Sequence, residues 1–316
     1  MELPPLRIGN LVARIPIVQG GMAVRVSTAP LAAAVANEGG IGIIAISGMP
    51  LEEIREQIRQ AKAATQGILG VNAMVALKEF FGVVKTAVEE GIDLIFAGAG
   101  FSRDLFAIGK EAGVPVVPIV SSVRLARIAE KLGAAAIVVE GKEAGGHLGT
   151  DVSIKTLVPE IRQAIKIPLI AAGGIVNGKG IAEMMRLGAN GVQMATRFVL
   201  STECSVSQKF KDCYLQAQKE DVVMIKSPVG LPGRAIRNKF SELITREGEY
   251  EINNCDGCLK SCHRDYCILE ALNNAQKGDI DHGVVFAGEN VYQLNDILPV
   301  KEIFRRLITE VAAESD

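Results

Sequence analysis

One histidine stands out among the residues that could carry chemistry. His147 is one of three histidines in the chain, and it lies beside Gly145, Gly146 and Gly149 directly after the apolar residues 135–140. An imidazole changes its protonation state near neutral pH, so it can take or give a proton there. The pattern predicts an acid–base residue on a loop at the end of a strand. The alternative is a surface histidine that only closes the loop.

Paired glycines also end two neighbouring apolar segments. Gly145 and Gly146 follow one segment, and Gly173 and Gly174 end the next, while a third segment ends at Thr196. Glycine lets backbone N–H groups approach an anion closely, and a threonine hydroxyl adds a donor. Together these turns predict a phosphate-binding site. Any single glycine pair is explained equally well by a tight turn between a strand and a helix.

Four cysteines lie close together near the end of the chain. Two, three and four residues separate Cys255, Cys258, Cys262 and Cys267 in turn. Thiolates at this spacing can hold a zinc ion or a 4Fe–4S iron–sulfur cluster. The sequence therefore predicts a metal site, with uncoordinated thiols as the remaining interpretation.

Strand-like and helix-like segments alternate through the first two thirds of the chain. The short apolar segments that predict strands are residues 15–21, 41–47, 70–75, 94–99, 114–120, 135–140, 167–172 and 191–196. The segments with helical spacing of apolar residues are 29–37, 51–65, 79–90, 104–111, 123–132, 155–165, 180–187 and 205–218. Eight such units predict an α/β fold of the (β/α)8 TIM barrel type.

An open doubly wound sheet is the alternative, because glycine-rich turns also mark dinucleotide-binding folds. That fold places a G-x-G-x-x-G sequence after its first strand, where this chain has Gln19-Gly20-Gly21-Met22. The paired glycines and Thr196 instead follow the sixth, seventh and eighth strand segments, close to where barrels bind phosphate. We therefore expect a barrel over residues 1–218. Residues 219–316 are expected to form a C-terminal cap that carries the cysteines and a closing helix at 300–311.

Composition limits the class of protein further. The 316 residues are 48% hydrophobic with a net charge of −2, so no basic surface for nucleic acid is expected. The N-terminal residues lack the pattern of a signal peptide, and no apolar run approaches the roughly 20 residues that span a bilayer. These features predict a cytoplasmic location without membrane contact.

Five sequence blocks carry a family resemblance. They are residues 16–22, 70–72, 140–149, 171–180 and 191–198. In these blocks the chain resembles the FMN-dependent nitronate monooxygenases, also called 2-nitropropane dioxygenases, and the related flavin-containing enoyl-acyl carrier protein reductases. The resemblance covers the first 200 residues and implies a flavin-dependent oxidoreductase.

The resemblance also implies roles for individual residues. The residues expected to bind FMN are Gly20, Gly21, Met22, Asn72, Glu140, Gly145, Gly146, Gly173, Gly174, Gln193, Met194, Ala195 and Thr196. Ala195 stands where the family usually has glycine, which puts the exact path of the phosphate loop in doubt. In nitronate monooxygenases the residue matching His147 is the general base. In the enoyl reductases it arranges the nicotinamide or the substrate.

Three functions follow from these expectations. The first is oxidation of a small nitronate or related carbon acid through FMN, and the second is NAD(P)H-dependent reduction of an enoyl thioester. The third is a non-catalytic module that binds flavin or metal. A small-molecule substrate is expected, and a protein electron donor, an acyl-carrier protein and a homodimer are left open. Arg234, Arg237 and Lys239 predict either a landing site for a phosphorylated cofactor or an acyl-carrier protein, or a solvated edge.

Overall fold

A closed barrel of eight parallel strands forms the centre of the described structure, a computed structural model that describes residues 1–246, 250, 252, 255 and 257–314. Around the barrel the strands follow one another in the order β3, β4, β5, β6, β7, β8, β10 and β11. The strands are β1 Leu6–Ile8, β2 Leu11–Ala13, β3 Ile17–Gln19, β4 Ile41–Ala45, β5 Ile68–Met74, β6 Leu94–Gly98, β7 Val116–Val120, β8 Ile137–Glu140, β9 Gly146–His147, β10 Leu169–Ala172, β11 Gly191–Met194, β12 Val222–Ile225 and β13 Gly233–Ile236. This confirms the predicted TIM barrel.

Helices alternate with the barrel strands. They are α1 Ala29–Asn37, α2 Leu51–Ala64, α3 Phe80–Glu89, α4 Asp104–Ala112, α5 Val123–Lys131, α6 Ile154–Ala164, α7 Gly178–Arg186, α8 Thr196–Val199, α9 Gln208–Gln216, α10 Lys239–Leu243, α11 Ile268–Lys277 and α12 Val300–Ala313. Within the part of the chain that is described, no helix is both long and apolar enough to cross a membrane.

The apolar residues of each segment follow the pattern of a buried strand or the spacing of a helix, and these patterns explain the strands and helices of the barrel. Every residue of β4 is buried, as expected for a parallel strand covered by side chains on both faces. Helix α2 buries Ile54, Ile58 and Ala61, which lie on one face because they are four and three residues apart. The main core therefore lies between the barrel and its ring of helices.

The closing helix lies in the ring of helices rather than in the cap. Helix α12 packs against α7 and α1, whereas α9 packs against α11 in the cap. The eighth helix of the ring is therefore α12 and not the predicted helix at residues 205–218. Helical periodicity marks both segments as helices but carries no information about which one packs between α7 and α1. The domain boundary at residue 218 stays a prediction.

The cap is fastened to the barrel through a small sheet. Strands β12 and β13 pair in antiparallel fashion, and β13 also pairs with β9, so that Gly233 lies opposite His147. A separate hydrophobic cluster holds the cap together and includes Leu77 from the loop after β5, together with Phe240 and Tyr266. The cap therefore packs directly on the loops at the carboxyl ends of the barrel strands.

Candidate active site

One cavity of about 210 Å³ opens at the carboxyl ends of the barrel strands. The residues of the sequence prediction that line it are Gly20, Gly21, Met22, Asn72, Glu140, Gly145, Gly146, His147, Gln193, Ala195 and Thr196. They come together because parallel barrel strands all end at the same face. This face is where TIM barrels carry their active sites.

Three predicted residues lie next to the cavity rather than in its wall. The Met194 carbonyl accepts the Gly20 N–H at 2.8 Å, so it holds the first strand end in place. Gly173 and Gly174 have φ angles of +119° and +68°, and a Cβ on Gly173 would lie 3.2 Å from the backbone nitrogen of Ala144. The two glycines therefore lie directly behind the loop that carries His147.

The cap fixes the loop of His147. Besides the pairing of β9 with β13, the Leu148 N–H donates to the carbonyl of Pro232 at 2.8 Å. The edge of the imidazole meets the ring of Phe286 at 5.2 Å between centroids. The Nε2 atom of His147 lies 2.7 Å from the Oγ of Ser227. Contacts with residues far away in sequence thus hold the imidazole of His147 in one position, although the loop that carries it is rich in glycine.

Burial favours the neutral forms of the two titratable side chains of the cavity wall that were predicted from the sequence, His147 and Glu140. Burial lowers the pKa of His147 to about 4 and raises the pKa of Glu140 to about 8. Among the described residues, no lysine or arginine lines the cavity. Its environment therefore suits an aromatic ring system or an apolar substrate better than a highly charged one.

The chemical groups in the cavity wall suit a bound flavin ring. The Oε1 atom of Gln193 is buried in the wall and has no hydrogen-bond partner among the described residues, so it can accept a hydrogen bond from a bound group. A Cβ on Gly21 would come within 2.2 Å of the Cβ of Asn72, so only glycine lets the Asn72 amide reach this position. The hydroxyl of Thr196 accepts the Gly288 N–H at 3.0 Å and lies at the same rim.

The sequence analysis missed the part of the wall that the cap contributes. Helix α11 presents Ile268, Leu269 and Leu272 to the cavity, and Phe286 completes this side. The one available signal is the helical spacing of these apolar residues, at positions i, i+1 and i+4. That signal predicts a buried face without saying what the face covers.

The three cations that the sequence singled out as a possible landing site have partners within the chain. Arg234 donates to the carbonyls of Ala144 and Lys142 at 3.1 and 2.7 Å. Arg237 donates to a backbone carbonyl, and Lys239 pairs with Asp281. Arg234 therefore stabilises the loop that carries His147, and none of the three contacts supports a landing site.

The four cysteines surround one small cavity of about 20 Å³, and they are Cys255, Cys258, Cys262 and Cys267. Burial raises the pKa of Cys258, and the neighbouring thiols raise it further. Among the described residues, however, no three His, Cys, Asp or Glu side chains are arranged to hold a metal ion. The predicted ligand set is thus close together but lacks ligand geometry. Cys255 and Cys262 are exposed to solvent.

Comparisons with known proteins agree with this site. The family model described as nitronate monooxygenase matches residues 6–90 and 78–310. A "probable nitronate monooxygenase" of Staphylococcus aureus is 32% identical over 289 residues, covering 76% of this chain and 81% of that protein. The structure of FabK from Thermotoga maritima superimposes with a TM-score of 0.86 at 34% identity, covering 95% of this chain and 93% of that one.

A third relative is named for a reaction on a thioester. The (3aS,4S,5R,7aS)-5-hydroxy-7a-methyl-1-oxo-octahydro-1H-indene-4-carboxyl-CoA dehydrogenase of Mycobacterium tuberculosis is 36% identical over 230 residues, which are 72% of this chain. The chain spans 64% of the length of that dehydrogenase.

Proposed function

The chain belongs to the nitronate monooxygenase family, and we propose that it is an FMN-dependent oxidoreductase that oxidises a nitronate or a related carbon acid. One observation supports this function above the others. Most of the residues that the family resemblance assigns to the flavin, and the one histidine it assigns to the substrate, line a single cavity at the carboxyl ends of the strands. A non-catalytic module would not need His147 to face the same cavity.

The proposed FMN contacts come from four strand ends. Gly20, Gly21, Asn72 and Gln193 would meet the isoalloxazine ring, with the unpaired Oε1 of Gln193 as an acceptor. Thr196 and the backbone of Gly173 and Gly174 would meet the phosphate. When bound, FMN supplies an acceptor for two electrons, a capacity that no side chain of the wall has.

Two neutral side chains would act on the substrate and the flavin. A Glu140 carboxyl that stays protonated near pH 7 can donate a hydrogen bond, in contrast to an ordinary carboxylate. A neutral His147 can accept through its bare nitrogen or donate through its N–H, according to its tautomer. The cap residues exclude water from this side of the cavity.

Reduction of an enoyl thioester by NAD(P)H is the second candidate function. Two observations favour it: the apolar wall contributed by α11 suits an acyl chain, and the mycobacterial relative is named for a carboxyl-CoA compound. Anaerobic mixing separates the two candidates. A nitronate that bleaches the flavin without NADH supports the first, and turnover of a crotonyl thioester only with NADH supports the second. Bound flavin that neither mixture reduces would refute both and leave the non-catalytic module.

A thiolate metal site at the four cysteines is a separate part of this proposal. The supporting observation is that all four line one cavity, and two exposed thiols would have to move inward to bind zinc or a 4Fe–4S cluster. We derive no step of the reaction from it. A cytoplasmic location, a homodimer and a protein electron donor or acyl-carrier protein are likewise proposals.

A further inference from the structure

Three consecutive residues of the cap each donate one hydrogen bond to a different loop of the barrel. These loops follow β8, β10 and β11, and we call residues 288–290 the clamp. The bonds run from the Gly288 N–H to the Thr196 hydroxyl at 3.0 Å, from the Glu289 N–H to the Glu143 carbonyl at 3.0 Å, and from the Asn290 side-chain amide to the Gly174 carbonyl at 2.7 Å. A backbone N–H can only donate and a carbonyl can only accept, so the direction of each bond is fixed by the groups that form it.

Two of these loops carry residues that were predicted to bind phosphate, and their donors are unused. Among the described residues, the N–H groups of Gly174 and Ile175 have no hydrogen-bond acceptor. Ile175 is only 6% exposed, and a buried N–H without an acceptor is rare in folded proteins. The oxygens of a bound phosphate would supply the missing acceptors.

The bond from Gly288 determines how the Thr196 hydroxyl can act. Its oxygen accepts from a backbone N–H, so its own hydrogen remains available to another acceptor. Thr196 lines the cavity, and its hydroxyl donates to no acceptor in the described part of the chain. The cap thus leaves Thr196 as a donor, which is the partner that an anionic oxygen needs.

The bond from Asn290 determines the orientation of the peptide between Gly174 and Ile175. In a planar trans peptide the carbonyl and the N–H point in opposite directions. Because Asn290 holds the Gly174 carbonyl, the Ile175 N–H points away from the clamp. Gly174 has a φ of +68° and no side chain that would restrict this peptide. Without the amide, the peptide could rotate and turn its carbonyl toward an anion.

A carboxylate lies beside this turn, and its charge is engaged elsewhere. A Cβ on Gly174 would come within 2.9 Å of the Cβ of Glu143. The Oε2 atom of Glu143, however, accepts the N–H of Ile154 at 3.0 Å, at the start of α6, where a helix attracts negative charge. Arg234 donates to two carbonyls of the same loop and so adds a positive charge there. The turn can therefore accept an anion although Glu143 is close.

We propose that Gly288 and Asn290 are positioning residues for the phosphate of FMN: from the cap, they hold the Thr196 hydroxyl and the turn at residues 174–175 in a geometry that donates to it. The inference rests on the proposed function, because FMN is the phosphate ester that this site takes. The cap is then part of the cofactor site as well as of the substrate wall. Binding of the phosphate and packing of the clamp on the barrel stabilise each other.

A comparison of FMN with riboflavin isolates the phosphate, because riboflavin is the same flavin without it. Titration of the full chain, freed of flavin, with each compound gives two dissociation constants through the quenching of flavin fluorescence. The wild type should bind FMN at least about tenfold more tightly than riboflavin, as expected for a few charge-assisted hydrogen bonds. Equal affinities would overturn the phosphate site and still leave a flavin enzyme. No substrate is present, so a failure of nitronate or thioester turnover leaves this result standing.

Variants then show whether the clamp causes this preference. Asn290→Ala should weaken FMN binding by about 2–10-fold, the usual effect of losing one hydrogen bond, and should leave the affinity for riboflavin unchanged. Asn274→Ala is the matched control, because its side-chain amide also donates to a backbone carbonyl of the cap, that of His282 at 3.2 Å. It should leave both affinities unchanged. Equal losses for the two flavins in Asn290→Ala would mean that Asn290 supports the cap as a whole, and would overturn the proposal.

Gly288→Ala tests the second contact of the clamp and replaces Asn290→Ala if that variant fails to fold. A Cβ on Gly288 would lie 3.1 Å from the hydroxyl oxygen of Thr196, so it would displace this donor. We expect a loss of affinity for FMN that riboflavin does not share. If both variants keep the wild-type ratio of the two dissociation constants, the clamp does not position the phosphate donors and the proposal is wrong.

Discussion

Replacing Glu140 by Gln should remove a loss of stability that the wild-type chain undergoes at alkaline pH. Burial raises the pKa of this carboxyl from 4.5 to about 8, and its side chain makes no hydrogen bond to the described residues that would stabilise the ionised form. In the unfolded chain the group ionises near its ordinary pKa. Between these two values the folded state therefore holds a proton that the unfolded state has lost.

The sign and size of the effect follow from proton linkage. Where the folded state binds more protons, stability falls as pH rises, by about 1.4 kcal/mol per pH unit for one proton. The whole rise of the Glu140 pKa from 4.5 to about 8 corresponds to a loss of ~5 kcal/mol in unfolding free energy above pH 8. About two pH units of this range lie between pH 6 and the folded-state pKa. The wild type should therefore lose roughly 2–3 kcal/mol of unfolding free energy between pH 6 and pH 9. Glu140→Gln cannot ionise and should not lose it.

Urea unfolding at pH 6 and pH 9 measures this difference. The comparison of wild type with Glu140→Gln cancels other groups that titrate in the same range. Glu160→Gln, which replaces an exposed carboxylate on α6, is the control and should follow the wild type. The same ionisation should weaken FMN binding above pH 8 in the wild type only. If wild type and Glu140→Gln lose equal stability, the carboxyl is not held protonated and the argument fails.

Three further variants test the site and the cysteines. His147→Ala should keep its flavin while kcat/KM for a nitronate falls by about 10²–10³-fold, the usual effect of losing a donor to a charged oxygen. Unchanged kinetics would remove His147 from the reaction. Gly174→Ala should deplete bound flavin, because its Cβ would lie 2.9 Å from the Cβ of Glu143. Gly113→Ala is the control: Gly113 has the same φ of +68° with open space around it, so this variant should keep its flavin. Equal flavin in both would contradict the proposed phosphate turn. Wild-type protein prepared without air should contain zinc, or iron with acid-labile sulfide. Cys258→Ser should lose this metal and keep its flavin. Wild-type protein without either metal would refute the metal site.

Local patterns were sufficient to predict the barrel. Helix α1 has the predicted bounds, and the other barrel elements differ from prediction by a few residues at their ends. Ends are less certain because the last turn of a helix depends on caps and tertiary contacts. Which helix packs between α7 and α1 could not be predicted, because that depends on the path of nearly a hundred residues through the cap.

The barrel half of the site was predictable for a geometric reason. Residues such as Asn72 and Gln193 lie near the ends of different strands, yet all parallel strands of a barrel end at one face. Ser227 escaped prediction because it lies 80 residues from His147 in a loop without a motif. A serine in a loop has no sequence pattern that distinguishes a buried hydrogen-bond donor from a solvated side chain.

The cap and the barrel therefore contribute different parts of the chemistry. The barrel strand ends provide the residues proposed for FMN, whereas the cap provides the partners of His147: β13 pairs with its backbone, Phe286 packs on its ring, and Ser227 contacts Nε2. The cap also provides the apolar wall from α11. A change in the cap alone could thus alter both the position of the His147 imidazole and the space for the substrate without disturbing the proposed contacts to the flavin ring. For this reason, the choice between a nitronate and a thioester should depend on residues 219–290 more than on the glycine turns that reveal the family.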